Sequence, residues 1–156
     1  MVTPSNLPET PRNLFEVHPA PKTTTTSDCK FEFNMVLGWG DSHDAHKQVY
    51  GKEDNPKFSQ ELLAGAASFE GFRLFENHQR KEGKPVSHAF AKELLVGFVG
   101  GEVDKMAQKR HMSAEQKDEA KQYAQGNAES LYDEHYVQGQ GAQQYDPNQY
   151  SAPSHF

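Results

Sequence analysis

Two long helical patterns, separated by a very short break, occupy the middle of this chain. They cover residues 57–82 and 86–111, and the break is the sequence Glu-Gly-Lys-Pro at residues 82–85. Glycine readily adopts the left-handed conformation that closes a helix, and proline cannot continue the hydrogen-bond ladder. Asn55 and Pro56 have the residue types of a helix start. Because so short a connection makes neighbouring helices antiparallel, the sequence predicts a helical hairpin as the centre of the fold.

Apolar residues recur in both patterns at the spacing of one helix face. Leu62 and Phe69 share a face in the first pattern, and the predicted apolar stripe of the second includes Phe90, Leu95 and Val99. Each pattern also contains glycines, and a glycine inside a helix costs about 1 kcal/mol relative to alanine. We therefore expect another helix to approach closely at these glycines, with room for a ligand or a kink as the alternative.

Two further helices are predicted on either side of the hairpin. Asp41 or Ser42 is suited to cap a short helix in the N-terminal direction. On the other side, Ser113 and Gln116 have the spacing of a capping box, which starts a third long helix over residues 114–136. The predicted fold class is therefore all-α, a small helical bundle built on the antiparallel hairpin.

The two ends of the chain have the composition of disordered segments. Residues 1–34 contain five prolines and four consecutive threonines, and residues 138–156 are rich in Gln, Gly and Tyr without Lys or Arg. Such segments bury too little apolar surface to offset the entropy of ordering the backbone. We therefore expect a folded domain over residues 35–137 between two disordered ends, both of them dispensable for folding.

The composition argues against several classes of protein. A formal net charge of −6 does not favour the basic surface that binds nucleic acid. No apolar run approaches the roughly 20 residues that cross a bilayer, and the N-terminus lacks the basic and apolar regions of a secretory signal. The single cysteine, Cys29, excludes an intramolecular disulfide, which fits a reducing compartment. We expect a cytoplasmic protein without a nucleic-acid partner or a membrane span.

Histidines are the only group of residues that suggests chemistry. The candidates for a metal site are His43, His46, His78, His88 and His135. The first two share a helix face, while the third and fourth flank the hairpin turn, where antiparallel packing brings them close. Imidazoles combined with carboxylates bind divalent metals. Because the signatures of di-iron bundles, zinc proteases and phosphate loops are missing, no residue is predicted to be catalytic or to bind a cofactor.

Trp39, the only tryptophan, lies between two glycines at the start of the predicted ordered region. We expect its side chain to pack on the helical core and to anchor the chain there. Stacking of the indole on a ligand is the alternative.

Three long motifs of this sequence resemble a known family. They read GWGDSHDAHKQVY from residue 38, KFSQELLAGAASFEGFRLFENHQRKEGKPVSHAFAKELLVGFVGGEVDK from residue 57, and NAESLYDEHY from residue 127. In this order they resemble the fungal CipC-like proteins, the concanamycin-induced protein C family, over about residues 37–136.

The resemblance implies a small intracellular fungal protein that takes part in antibiotic and stress responses. It gives no catalytic residues, because the biochemical activity of the family is undefined. Together with the missing catalytic motifs, it favours a non-enzymatic protein that acts through a protein partner or as a homo-oligomer. A histidine-based protein that binds a divalent metal or haem is the alternative.

Overall fold

A computed structural model describes residues 37–51 and 59–156 of the chain. In this part of the chain the fold is a bundle of four α-helices that ends in a π-helix: α1 Trp39–Tyr50, α2 Gln60–Glu82, α3 His88–Lys109, α4 Ala114–Tyr132 and the π-helix Asp133–Gly139. The same residues contain no strand, and the prediction of an all-α bundle is confirmed. The N-terminal arm predicted over residues 1–34 lies outside the described residues.

The first long helix of the hairpin has clear local causes at both ends. Helix α2 begins at Gln60 because the hydroxyl of Ser59 accepts a hydrogen bond of 3.2 Å from a backbone amide of the first turn. Asn55 and Pro56, which were predicted to start this helix, lie outside the described residues. At the other end Gly83 adopts a φ of 65°, which confirms the predicted glycine cap.

Helices α1 and α3 differ from their predicted bounds by a few residues. Helix α3 starts after Ser87 and ends at Lys109, before residue 111, because His111 adopts a φ of 54° that a right-handed helix does not allow. Neither Asp41 nor Ser42 caps α1, so this prediction was wrong. Asp41 lies in the first turn, and Ser42 is buried on the inner face.

Helix α4 begins as predicted and ends earlier. Ser113 and Gln116 form the expected capping box, with hydrogen bonds of 3.1 and 3.3 Å between side chains and backbone amides. The α-helical geometry stops at Tyr132 instead of residue 136, and the chain continues as the π-helix. A π-helix has a wider turn, with hydrogen bonds between residues five apart, which changes the direction of the side chains that follow.

The core lies between α2 and the three other α-helices, each of which packs against α2. The largest fully buried side chains are apolar or aromatic and come from α2, α3, α4 and the segment beyond: Leu63, Phe72, Phe75, Leu95, Val99, Val103, Leu131, Tyr132, Tyr136 and Tyr145. Phe90 belongs to the predicted apolar stripe of α3 but is 49% exposed. None of the helices that the structure describes is both long enough and apolar enough to cross a membrane.

Helices α2 and α3 touch at the level of the backbone. A Cβ atom added at Gly71 would lie 2.7 Å from Val99 Cα and 2.9 Å from Val99 N. A Cβ added at Gly97, on the outer face of α3, would meet nothing within 4 Å. The expectation of close helix packing at glycine therefore holds at Gly71 and does not hold at Gly97.

The chain after the π-helix packs against the bundle, although the sequence predicts a disordered tail over residues 138–156. Residues 140–156 are called the C-terminal arm below. Tyr145 is fully buried in the core and exchanges two backbone hydrogen bonds with Val86, of 2.9 and 3.0 Å. The composition argument does not capture this arm, because its order depends on a few single side chains that are buried, not on a continuous apolar stripe.

Candidate functional site

Trp39 is the centre of a group of aromatic rings at the start of α1. Its indole meets the ring of the buried Phe72 edge to face, with 5.0 Å between the ring centroids. The side chain is partly buried and packs against the core cluster, so its predicted role as an anchor is confirmed. His43, one helical turn further along α1, packs on Phe69 of α2 at 5.2 Å. We call these four side chains the aromatic groove.

The last two residues of the chain cover the aromatic groove. The Phe156 ring lies 5.4 Å from Phe69, 5.9 Å from Phe72 and 6.0 Å from Trp39, measured between centroids. The imidazole of His155 lies nearly parallel to the indole, at 6.2 Å and an interplanar angle of 13°. Phe156 remains 42% exposed, so the groove covers only part of its ring.

The π-helix brings two polar side chains to the same segment. The amide of Gln140 accepts a hydrogen bond of 3.2 Å from Ser151 N and donates one of 3.0 Å to Ser151 O. His135 Nε2 lies 2.9 Å from the same carbonyl, and its ring lies 5.9 Å from that of Trp39. An open cavity of about 310 Å³ lies here, lined by Trp39, Glu134, His135, Gly139, Gln140 and Ser151. The Gln140 side chain therefore pairs with both backbone groups of Ser151, as the backbone of a neighbouring β-strand would.

A buried carboxylate fastens the middle of the C-terminal arm. Glu76 is 2% exposed, and its Oε1 accepts hydrogen bonds of 2.6 Å from the Tyr136 hydroxyl and 3.1 Å from the Tyr145 hydroxyl. Its Oε2 accepts a hydrogen bond of 2.9 Å from Arg80 Nε. Burial, reinforced by the charge of Glu76, raises the pKa of both tyrosines, which keeps the hydroxyls protonated as donors. Arg80 also donates to the carbonyl of Pro147 at 2.8 Å.

His88 forms a second tie to the arm. Its Nε2 lies 2.9 Å from the carbonyl oxygen of Ala142, which can only accept, so this nitrogen carries the proton. In the neutral ring Nδ1 then accepts the hydrogen bond of 2.7 Å from the Tyr132 hydroxyl. His78 has a different partner and packs on Phe98, with 5.6 Å between the centroids. The hairpin turn thus does not give its two histidines a common partner.

His46 belongs to a polar network between α1 and α2. Its Nε2 donates to Glu70 at 2.9 Å, and Arg73 holds both oxygens of that carboxylate at 2.9 and 2.6 Å. The ring stacks on Tyr50, whose hydroxyl donates to the buried Glu102 at 2.7 Å. Burial lowers the pKa of His46 and outweighs the attraction of Glu70. Burial alone would raise the pKa of Glu70, but the hydrogen bonds and charge of Arg73 lower it.

The five histidines proposed as metal ligands occupy separate environments. His43 belongs to the aromatic groove, and His135 borders it. His46 lies in the network with Glu70, and His78 and His88 lie near the hairpin turn. Within residues 37–51 and 59–156, no three side chains of His, Cys, Asp or Glu are placed to hold a metal ion.

Sequence reasoning missed Gln140 and the residues that Gln140 and the aromatic groove bind. Gln140, Ser151, His155 and Phe156 all belong to the segment that was interpreted as a passive tail. One signal was available, because this polar segment contains large aromatic residues, among them Tyr145 and Phe156. Nothing in the spacing of these residues, however, indicates that α1 and α2 supply the complementary surface.

Comparison with known proteins adds a family to this geometry. Residues 45–135, more than half of the chain, match the family described as virulence factor CipC-like. This match confirms the resemblance carried by the three sequence motifs. No curated protein and no solved structure shows a significant match to the chain.

Proposed function

Because this chain belongs to the virulence factor CipC-like family, we propose that it is a non-enzymatic antibiotic- and stress-response protein of the cytoplasm. We propose further that it acts by binding a protein partner. The observation that supports this proposal is the aromatic groove together with Gln140, which holds a peptide segment by its backbone and by its aromatic rings.

The contacts of the groove are of the kind that proteins use to recognise extended peptides. Hydrogen bonds to the main chain supply affinity, and pockets for individual side chains supply specificity. Gln140 provides the first kind of contact, and the rings around Trp39 provide the second. The Phe72 wall of the groove is held by the core, since its ring also packs on Phe75 and Tyr132. A preformed site lowers the entropy that binding must overcome.

A growth experiment in cells that lack the native gene tests the proposal. Cells complemented with the wild-type chain are compared, in the presence of concanamycin, with cells that carry Gln140→Ala, Gln144→Ala or His46→Gln. We expect the wild-type chain to protect the cells against concanamycin. Gln140→Ala should lose this protection, because the substitution removes both hydrogen bonds to a bound backbone. The matched control Gln144→Ala changes an exposed glutamine of the same arm and should retain protection.

The third variant separates binding from catalysis. His46 lies in the half-buried polar network, where an enzyme or a metal protein would keep its reactive groups. We expect His46→Gln to retain protection when its cellular level equals that of the wild type. Loss of protection in His46→Gln at an equal level, with protection retained in Gln140→Ala, would refute the proposal.

The alternative is a histidine-based protein that binds a divalent metal or haem. The purified full chain distinguishes the two in one sample. Haem gives a strong visible absorption band, and elemental analysis gives the amount of bound metal per chain. Either group at a stoichiometric level would favour the alternative.

A further inference from the structure

We propose that the aromatic groove is a regulated peptide site, and that its ligand is a segment of a partner polypeptide with the chemistry of residues 151–156 of this chain. The inference rests on the proposed function, and it adds the class of ligand and the means of control. The ligand presents a free backbone amide, a proline two residues later and, two and three residues after the proline, two adjacent aromatic rings. The chain's own terminus occupies the site until a partner displaces it.

The recognition of residues 151–156 is spread over three points. Gln140 pairs with both backbone groups of Ser151, which selects an extended main chain at that position whatever its side chain. Pro153 is buried two residues later. The final two residues place their rings on Trp39, one parallel to the indole and the other at its edge. Together these contacts define a spacing that a peptide from another protein can match.

The terminal residues can leave without unfolding the rest of the arm. Between Pro153 and the end of the chain, the backbone makes one long hydrogen bond, of 3.4 Å from Phe156 N to Pro153 O. The middle of the arm is held separately, through Tyr145 and through the contact of Arg80 with the Pro147 carbonyl. Release of the last six residues therefore leaves these ties in place and opens the groove.

Because residues 151–156 belong to the same chain as the groove, they regulate the binding of a partner to it. A segment attached to the same chain competes at a high effective concentration, so a partner binds more weakly while Phe156 is present. Removal or modification of the last residues has the opposite effect and strengthens partner binding. Residues 151–156 thus inhibit the groove, and the Phe156 ring sets the threshold for the partner.

The test uses the full chain and a synthetic peptide, Ser-Ala-Pro-Ser-His-Phe. The peptide is titrated into the wild type, into Phe156→Ala and into Phe90→Ala, with Trp39 fluorescence and calorimetry as readouts. Phe90 is an exposed phenylalanine on the outer face of α3 and serves as the matched control. We expect Phe156→Ala to bind at least about tenfold more tightly than the wild type and Phe90→Ala to bind like the wild type.

Two further titrations examine specificity. A peptide that ends in alanine should bind Phe156→Ala at least about tenfold more weakly, since it lacks the ring that fills the groove. Adding Gln140→Ala to Phe156→Ala should weaken binding of the original peptide, whereas adding Gln144→Ala should not. The proposal is overturned if Phe156→Ala melts like the wild type and does not bind, or binds both peptides equally.

The oligomeric state identifies the source of the ligand. A monomeric wild type, by light scattering at the concentrations used, supports a different protein as the partner. A wild-type dimer that the peptide dissociates assigns the groove to a second copy and overturns the partner proposed here. Peptide binding with unaffected growth in Gln140→Ala would keep this site and reject the proposed function. Lost growth in Gln140→Ala, with no peptide binding to Phe156→Ala, would keep the proposed function and reject this site.

Discussion

Replacing Gly71 with alanine tests whether α2 and α3 are held at backbone contact. The new Cβ would lie 2.7 Å from Val99 Cα and 2.9 Å from Val99 N, and backbone atoms cannot rotate away as a flexible side chain can. Overpacking of a core costs about 1–3 kcal/mol, while the better helix propensity of alanine returns about 1 kcal/mol. Because the clash is with backbone atoms, the overpacking cost lies in the upper part of this range, about 2–3 kcal/mol, which leaves a net loss of about 1–2 kcal/mol in the free energy of unfolding. At roughly 4 °C per kcal/mol, the melting temperature falls by about 4–8 °C.

Gly97→Ala is the matched control for this substitution. Gly97 lies in the neighbouring helix, is exposed, and would place a Cβ with nothing within 4 Å. Only the propensity gain remains, so this variant should be more stable by up to about 1 kcal/mol. Urea titrations followed by circular dichroism measure both variants against the wild type. Equal stabilisation by the two alanines would refute the close approach of α2 and α3.

The other predictions concern the tyrosine hydrogen bonds to Glu76, the lowered pKa of His46 and the C-terminal arm. Tyr136→Phe removes the 2.6 Å hydrogen bond to buried Glu76 and should lower the free energy of unfolding by about 1.5–3 kcal/mol. Tyr145→Phe removes a longer hydrogen bond, of 3.1 Å, and should lower it less. Urea titrations that give the reverse order would contradict this geometry. The lowered pKa of His46 means that the folded state binds fewer protons than the unfolded state, so stability should fall as the pH falls below 6.5. His46→Gln should flatten that part of the profile in thermal melts, whereas Gln144→Ala, which removes no titratable group, should leave it unchanged. Removal of the C-terminal arm should lower the melting temperature more than either tyrosine substitution does, by calorimetry; coincident melts would support the passive tail instead.

Helix ends could be predicted from the sequence because their causes are local. The left-handed Gly83 and the capping box of Ser113 and Gln116 depend on neighbours within one turn. The buried positions of α3 follow for the same reason, since Leu95 and Val99 repeat at the helical period. Phe90 lies five residues before Leu95, about 140° away around the helix axis, and is 49% exposed, so it belongs to a different side of α3.

The groove and the arm could not be predicted, because both depend on contacts between distant residues. The bond from Tyr145 to Glu76 joins positions 69 residues apart, and Phe156 reaches α1 and α2 from the last position of the chain. An averaged composition treats such residues as a polar tail. The histidines show the same limit: the spacing correctly puts His43 and His46 against one ring of α2, yet it says nothing about which helix His88 faces.

The burial of Glu76 also determines when this protein can fold in the cell. The ribosome releases the chain from its N-terminus, so α2 with its carboxylate emerges long before the two tyrosines that bind it. Until they arrive, water must solvate that charge, because burying it unpaired is costly. The burial of Glu76 with both tyrosine donors is therefore complete only after residue 145 has left the ribosome. A chain cut short before residue 145 would keep every long helix and leave this carboxylate without the Tyr145 hydroxyl.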